Sequence, residues 1–222
     1  MEKRFFNTEI RTERAENNTT VTGHGAVFNQ EARIGWFYET VERGAFDDAI
    51  KISDVRALVN HDPNYILART ASGTLQLGTD EQGLTYRFES PNTSYANDLL
   101  ESMKRGDVDQ SSYAFTLKTK EEDGFNGDEW KEDKETGKIT RTIKANGVKR
   151  LYDVSVVTYP AFEGASAQIE KSSELARRSF EAQKGEVDKK EEAKKAIEAR
   201  NIEIQNANYL KLIAIQKHKT QV

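Results

Sequence analysis

Short apolar runs, each bounded by turn-forming residues, alternate with polar positions along the first 160 residues of the chain. Thr20-Val21-Thr22 and Ala26-Val27-Phe28 predict strand on either side of Gly23-His24-Gly25, where the glycines imply a bulge or a close backbone approach. Residues 55–59 read as a buried strand. Residues 74–77 and 84–88 flank Gly78-Thr79-Asp80-Glu81-Gln82-Gly83, which is hairpin chemistry. From Ser94 to Arg105 the period changes: Leu99, Leu100 and Met103 fall on one helical face, with Ser94 as N-cap and Gly106 as stop. Residues 111–118, 139–145 and 153–158 complete the strands. The acidic stretch 120–138 predicts a surface excursion ending in a turn at Glu135-Thr136-Gly137-Lys138. The class implied is α+β, mostly β.

The pattern breaks near residue 172. Residues 174–222 contain no proline, one glycine (Gly185), and 11 Lys+Arg against 8 Asp+Glu. Charges alternate through Lys189-Lys190-Glu191-Glu192 and Lys194-Lys195 at spacings that suit pairing on an exposed helix. Ile197, Ile204, Leu210 and Ile213 supply only a thin apolar stripe. The division predicted is a domain over 1–172 and a charged helical tail over 173–222. That tail either docks on a partner or the core, or stays a solvated or disordered segment.

Composition narrows the class. A chain of 222 residues holds one ordinary domain and an appendage. Hydrophobic content of 36% against 32% charged residues requires a well-solvated segment, which the tail supplies. With no cysteine there is no disulfide scaffold and no thiolate metal site, as suits a reducing compartment. The start of the chain lacks the apolar core of a signal peptide, and no run approaches the ~20 apolar residues of a membrane span. A net charge of −4 does not nominate nucleic acid. A soluble intracellular protein with neither nucleic acid nor membrane as partner is expected.

Without cysteine, nucleophilic chemistry falls to serine, and a serine hydroxyl needs an imidazole to take its proton. There are three histidines: His24, His61 and His218. His61 ends the apolar run Leu58-Val59-Asn60 and precedes Asp62-Pro63, where the chain must turn; it could equally bond a loop carbonyl and do nothing more. His24, between glycines, reads as structural, and His218 as solvated in the tail. Strand alternation separates the Ser111-Ser112 doublet. Ser111 shares an apolar face with Tyr113, Phe115 and Leu117, whereas Ser112 joins Gln110, Ala114 and Thr116 on a small, polar face suited to a groove. The same alternation puts Asp153, Ser155 and Val157 on one side of their strand. Asp153 could instead pair with Lys149 or Arg150 at the surface.

Several blocks occur in order over residues 20–163. They are Gly23-His24-Gly25-Ala26-Val27-Phe28-Asn29, Gly44-Ala45-Phe46, Ala57-Leu58-Val59-Asn60-His61-Asp62, Leu67-Ala68-Arg69-Thr70 and Gly73-Thr74-Leu75. Then come Gly83-Leu84, Gly106-Asp107-Val108, Ser112-Tyr113-Ala114-Phe115, and finally Leu151-Tyr152-Asp153-Val154-Ser155-Val156-Val157-Thr158-Tyr159-Pro160-Ala161. This ordered set resembles the prohead proteases of tailed bacteriophages. The resemblance implies a mostly β closed barrel ringed by helices, like the herpesvirus assemblins. It also implies a serine endopeptidase acting inside the assembling procapsid in the host cytoplasm. That enzyme would cut the scaffolding region of the major capsid protein, and itself, with no metal or organic cofactor. Whether it forms a homo-oligomer is left open, and the tail would be a packaging or scaffold-binding segment.

The family's nucleophile lies two residues before a small residue and three before a phenylalanine, which is Ser112, and its histidine is His61. An acidic residue, often glutamate, stands at Asp153 and would orient the histidine. Relatives often carry methionine and glycine where this chain has Ser111 and Ala114. The herpesvirus enzymes use a second histidine, and none is suitably placed here. An oxyanion hole is also required; backbone amides or an arginine such as Arg69 could form it, and the sequence does not decide between them. Two other classes compete: a catalytically silent assembly or scaffolding protein, and a metal-dependent hydrolase using His61, Asp62 and a further acid.

Overall fold

The alternating runs pair into three sheets in the computed structural model, which describes residues 1–6, 10–14, 18–158 and 167–219. Within these, side chains are described except at residues 5, 6, 14, 167–171 and 203–219. The strands are β1 (Glu2–Phe6), β2 (Arg11–Arg14), β3 (Thr19–Val27), β4 (Ala32–Ile34), β5 (Phe37–Val41), β6 (Arg56–Val59) and β7 (Asp62–Arg69). They continue with β8 (Leu75–Thr79), β9 (Gly83–Glu89), β10 (Gln110–Leu117), β11 (Asp128–Glu132), β12 (Ile139–Ile143) and β13 (Val148–Val157). Helices are α1 (Ala49–Ile52), α2 (Ser94–Arg105), α3 (Lys120–Asp123) and α4 (Ala167–Lys219). The sheet orders are β1-β10-β13-β6-β7, β11-β12-β5-β4 and β2-β3-β9-β8.

The five-stranded sheet carries the site. Its centre, β13, pairs antiparallel with β10 and parallel with β6, placing Ser155 opposite both Ser112 and Leu58. Directly opposed residues share a sheet face, so Ser112, Ala114, Asp153 and Ser155 line one side. Ser111, Tyr113, Val154 and Val156 line the other. At one edge β1 pairs with β10, and at the other β7 pairs with β6. Pro63 sits in that outer strand, where a missing backbone donor is tolerated.

Two devices tie this sheet to its neighbours. The first is an ion cluster that is wholly buried. Arg4 donates to Glu39 Oε1 at 2.5 Å and to Glu2 Oε2 at 2.6 Å. Arg141 donates to both Glu2 oxygens, to Glu39 Oε2 and to Asp128 Oδ2 at 2.7 Å. Burial alone would raise the pKa of Glu2, but the Arg141 and Arg4 guanidiniums override it and hold the carboxyl at about 2. The rings of Phe37 and Phe115 flank Arg4, and Trp130 flanks Arg141. The second device is the Tyr86–Ser111 hydroxyl pair, 2.8 Å apart, joining β9 to β10. Burial pushes the Tyr86 phenol well above its ordinary range. Between the sheets lies an apolar core that includes Phe28, Phe46, Leu84, Tyr113, Phe115 and Val154.

The glycine reading of β3 is observed. The β3–β9 register shifts between His24 and Ala26, and a Cβ on Gly23 would meet the Tyr86 hydroxyl at 2.6 Å. Helix α2 ends as predicted, with Gly106 left-handed at φ 78°, but its N-cap is Thr93 and Ser94 is its first residue. Two expectations need correction. The described ladders form three open sheets and do not close a barrel, and α2 is the one helix longer than four residues before α4, so no ring of helices surrounds them. Edge strands β1 and β7 are instead blunted by a neighbouring ion cluster and by proline. Nor is 120–138 merely a surface excursion: β11 pairs with β12, and Asp128 is buried because Arg141 neutralises it. The turn at 135–138 is present, with Asp133 accepting backbone bonds from Glu135 and Thr136.

Two compact units divide the chain, Met1–Arg177 and Arg178–Val222. The opening of α4 belongs to the first. Ser172 Oγ accepts from the Lys3 amide, Ser173 Oγ accepts from Trp36 Nε1, and Ala176 is fully buried. In the second unit the helix exposes Val187, Ile197 and Ile202. The remaining predicted stripe residues, Ile204, Leu210 and Ile213, have side chains outside the described set.

Candidate active site

His61 owes its position to a two-residue turn. Val59 of β6 pairs with Asp62 of β7, leaving Asn60 and His61 as the connecting residues, with φ of 50° and 58°. Two successive positive φ values are the signature of a type I′ hairpin turn, whose first position suits asparagine and whose second usually takes glycine. A histidine there is held in a backbone region that side chains disfavour, a form of strain that concentrates at functional sites. Asn60 clamps the turn to the end of β13. Its amide accepts from the Thr158 N–H at 2.9 Å and donates to Thr158 Oγ1 at 3.1 Å, while its own N–H bonds Val156 O. Asp62 accepts from the Asn64 amide on the far side.

From that turn the imidazole lies back over the sheet, between β10 and β13. Its Nε2 is 2.5 Å from Ser112 Oγ and its Nδ1 is 2.5 Å from Asp153 Oδ1. Ser155 Oγ donates to the same Asp153 oxygen at 2.7 Å and stands 3.2 Å from His61 Nδ1. Ser112 Oγ is also within 2.8 Å of the Arg4 carbonyl, presented by β1. A carboxylate is an acceptor only, so Nδ1 carries the proton facing Asp153. In the neutral ring Nε2 is then bare and accepts from Ser112. When the ring is charged, Nε2–H points at Ser112, and the serine proton turns to the Arg4 carbonyl. The hydroxyl thus has two acceptors and one proton, and the charge on His61 decides between them.

The site is dry. Ser112 is 0% exposed, and the side chains of His61 and Asp153 are 2% and 7% exposed. Low local dielectric strengthens such hydrogen bonds and raises the cost of leaving any group unpaired. Lys3, opposite Ala114 on β1, lies along the same face; burial lowers its pKa, partly offset by the charge of Asp153.

The three residues singled out in the sequence therefore meet. The shorter aspartate needs no bridging water, because β13 brings it into direct contact. Its suggested surface partner Lys149 binds Glu122 and Asp123 instead. Ser111 faces away and bonds Tyr86. Arg69, considered for an oxyanion hole, is engaged by Asp54 through Nε and Nη2, and those bonds bring Asp54 down to about 2. His24 is 2.8 Å from Asp80 in a surface groove of about 980 Å³ on the β2-β3-β9-β8 sheet. The side chain of His218 lies outside the described residues. Sequence reading missed Asn60, Ser155 and the Arg4 carbonyl. Asn60 had a signal, since asparagine before a turn residue marks left-handed backbone. The Arg4 carbonyl had none. Among the described residues no group of three His, Cys, Asp or Glu side chains could hold a metal ion, and no helix is long and apolar enough to cross a membrane.

A serine, an imidazole and a buried carboxylate in this order are the side chains of acyl-transfer chemistry. The model of the caudovirus prohead serine protease family matches residues 6–182, and the chain belongs to that family. It is thus a capsid-maturation protease by descent, and a catalytically silent assembly protein is not favoured. Among solved structures the chain is similar to the bacteriophage T4 capsid assembly protease, gp21, at 10% identity and a TM-score of 0.41. That likeness covers 71% of this chain and 99% of the other. No curated protein matches the sequence.

Proposed function

We propose that Ser112 is the nucleophile, His61 its general base and Asp153 the orienting acid of this prohead protease. The observation that carries the reading is the placement of one imidazole 2.5 Å from both the Ser112 hydroxyl and the Asp153 carboxylate. In the neutral ring Nε2 takes the Ser112 proton as Oγ attacks a peptide carbonyl. Asp153 stabilises the imidazolium formed, and Nε2–H then protonates the leaving amine. Water enters in its place, His61 deprotonates it, and hydrolysis of the acyl-enzyme regenerates Ser112. A protonated His61 cannot accept the serine proton, so the neutral ring is the form that acts as base.

The substrates are the scaffolding region of the major capsid protein and the enzyme itself, within the procapsid in the host cytoplasm. Residues 178–222 serve as the packaging segment. Self-cleavage falls within 169–185, on the side of that stretch beyond the docked first turns of α4. Co-expression with the capsid precursor tests the assignment. Wild type and Ser111→Ala should process the precursor, while Ser112→Ala and His61→Ala should fold and leave it intact. Processing by Ser112→Ala would overturn the reading.

A further inference from the structure

Ser155 has no part in the acyl transfer just described, yet it occupies the middle of the site. It lies on β13 directly between Ser112 of β10 and Leu58 of β6, is 1% exposed, and points to the same side as Asp153. We propose that Ser155 is a positioning residue that fixes the Asp153 carboxylate and, through it, the proton tautomer of His61. The proposal rests on the assignment of Ser112, His61 and Asp153 given above.

The proton inventory carries it. Asp153 Oδ1 faces two neighbours, His61 Nδ1 at 2.5 Å and Ser155 Oγ at 2.7 Å, and a carboxylate can only accept from both. Ser155 has one proton. Given to Asp153, it makes a charge-assisted bond and leaves an Oγ lone pair turned toward the Nδ1–H, 3.2 Å away. Given instead to Nδ1, it would require a bare Nδ1 pressed against a carboxylate oxygen, two acceptors in contact. One arrangement satisfies all three groups: Nδ1–H to Asp153, Ser155 O–H to Asp153, and Nε2 free to accept from Ser112. That is the tautomer a general base needs. Asp153 is short and buried, and its Oδ1 is pinned from two directions at once. Without Ser155, rotation about the aspartate side chain would let the carboxylate leave Nδ1, and the ring could adopt the Nε2–H form that cannot accept the serine proton.

Ser111 is the internal control. It is equally buried and its hydroxyl also shares a hydrogen bond with a buried partner, Tyr86, but on the opposite face. Losing it should cost stability without touching His61.

The experiment uses the whole chain with ¹⁵N-labelled histidine, in wild type, Ser155→Ala, Ser155→Thr and Ser111→Ala, with nitrogen shifts read on the neutral His61 ring and kcat and KM measured on a capsid-derived peptide. Wild type, Ser155→Thr and Ser111→Ala should show the Nδ1–H tautomer alone. Ser155→Ala should show a mixture with Nε2–H, and its kcat should fall about 10- to 100-fold at nearly unchanged KM, the range set by losing a hydrogen bond to a charged group. If Ser155→Ala does not fold, Ser155→Cys retains the volume with a weak donor and should show the same mixture. A pure Nδ1–H ring with wild-type kcat, in whichever of Ser155→Ala and Ser155→Cys folds, would overturn the proposal. The tautomer is read without turnover, so this failure is separate from failure of the active-site assignment, which an active Ser112→Ala enzyme would reveal.

Discussion

The turn that carries His61 can be broken without touching any group that reacts. Asn60 supports it in two ways: its backbone accepts a φ of 50°, and its side chain bonds both the amide and the hydroxyl of Thr158. Asn60→Ala removes the side-chain bonds to the Thr158 N–H and Oγ1, each worth about 1 kcal/mol, and puts alanine in left-handed backbone that asparagine tolerates better, at up to about 1 kcal/mol more. The loss expected is about 2–3 kcal/mol. Asn60→Asp retains an acceptor for the Thr158 amide and tolerates the same backbone, so it should stay within about 1 kcal/mol of wild type. The change also propagates. Asn60 holds the turn against the end of β13, and a ~1 Å drift of the imidazole would lower kcat about 10²-fold with little change in KM. Urea unfolding gives the stabilities, provided the slope is unchanged between variants, and peptide turnover gives the rest. An Asn60→Ala enzyme within ~0.5 kcal/mol of wild type and fully active would refute both the clamp and the argued role of the turn, because these magnitudes exceed that error.

Acid should unfold the first unit through its ion cluster. The Glu2 carboxyl titrates at about 2 when folded against an ordinary 4.5, so its contribution is fully present above about 4.5 and is lost as pH falls toward 2. That shift corresponds to about 3 kcal/mol, and Glu2→Gln should flatten the loss of stability in that window of an acid titration followed by circular dichroism. Arg141→Met leaves Glu2 and Glu39 with Arg4 alone, takes the guanidinium from Asp128, and should cost about 3–5 kcal/mol in urea unfolding. Asp153→Asn offers Nδ1 an amide and permits the wrong tautomer, so kcat should fall by roughly 10⁴, as it does for the known serine-protease triad, while unfolding shifts little. A chain ending at Arg177 keeps the Ser172, Ser173 and Ala176 contacts and should retain peptide turnover, yet be poorly incorporated when procapsids are assembled and blotted for protease.

Much of this site was legible because period-2 alternation carries chemical information. Ser112 and Ser111 are neighbours of the same type, and only their faces distinguish them. Ser112 meets His61 and Ser111 meets Tyr86, as the polar and apolar sides of β10 implied. Helix α2 and its glycine stop were readable because their signals, an apolar helical face and a left-handed glycine, are also local. What escaped was long-range. Glu2, Arg4, Glu39 and Arg141 alternate along their strands as polar residues and so look outward-facing, although each is buried by the others. Apart from Glu2 and Arg4, two residues apart, the partners that neutralise these charges lie far along the chain. For the same reason β1 went unread, and with it the Arg4 carbonyl beside Ser112. The barrel was expected from the resemblance alone, and sheet closure is a property of pairing between distant strands that local pattern does not encode.

The central claim is that Ser112 is the atom that attacks. The direct measurement is peptide mass mapping of a fluorophosphonate adduct on protease that is actively processing capsid precursor, beside the His61→Ala protein treated identically. A phosphonyl group on Ser112, with processing halted as it forms and no adduct in His61→Ala, is the result predicted. Processing that stops with the adduct on Ser111 or elsewhere, or an equal yield on Ser112 when His61 is alanine, would contradict it.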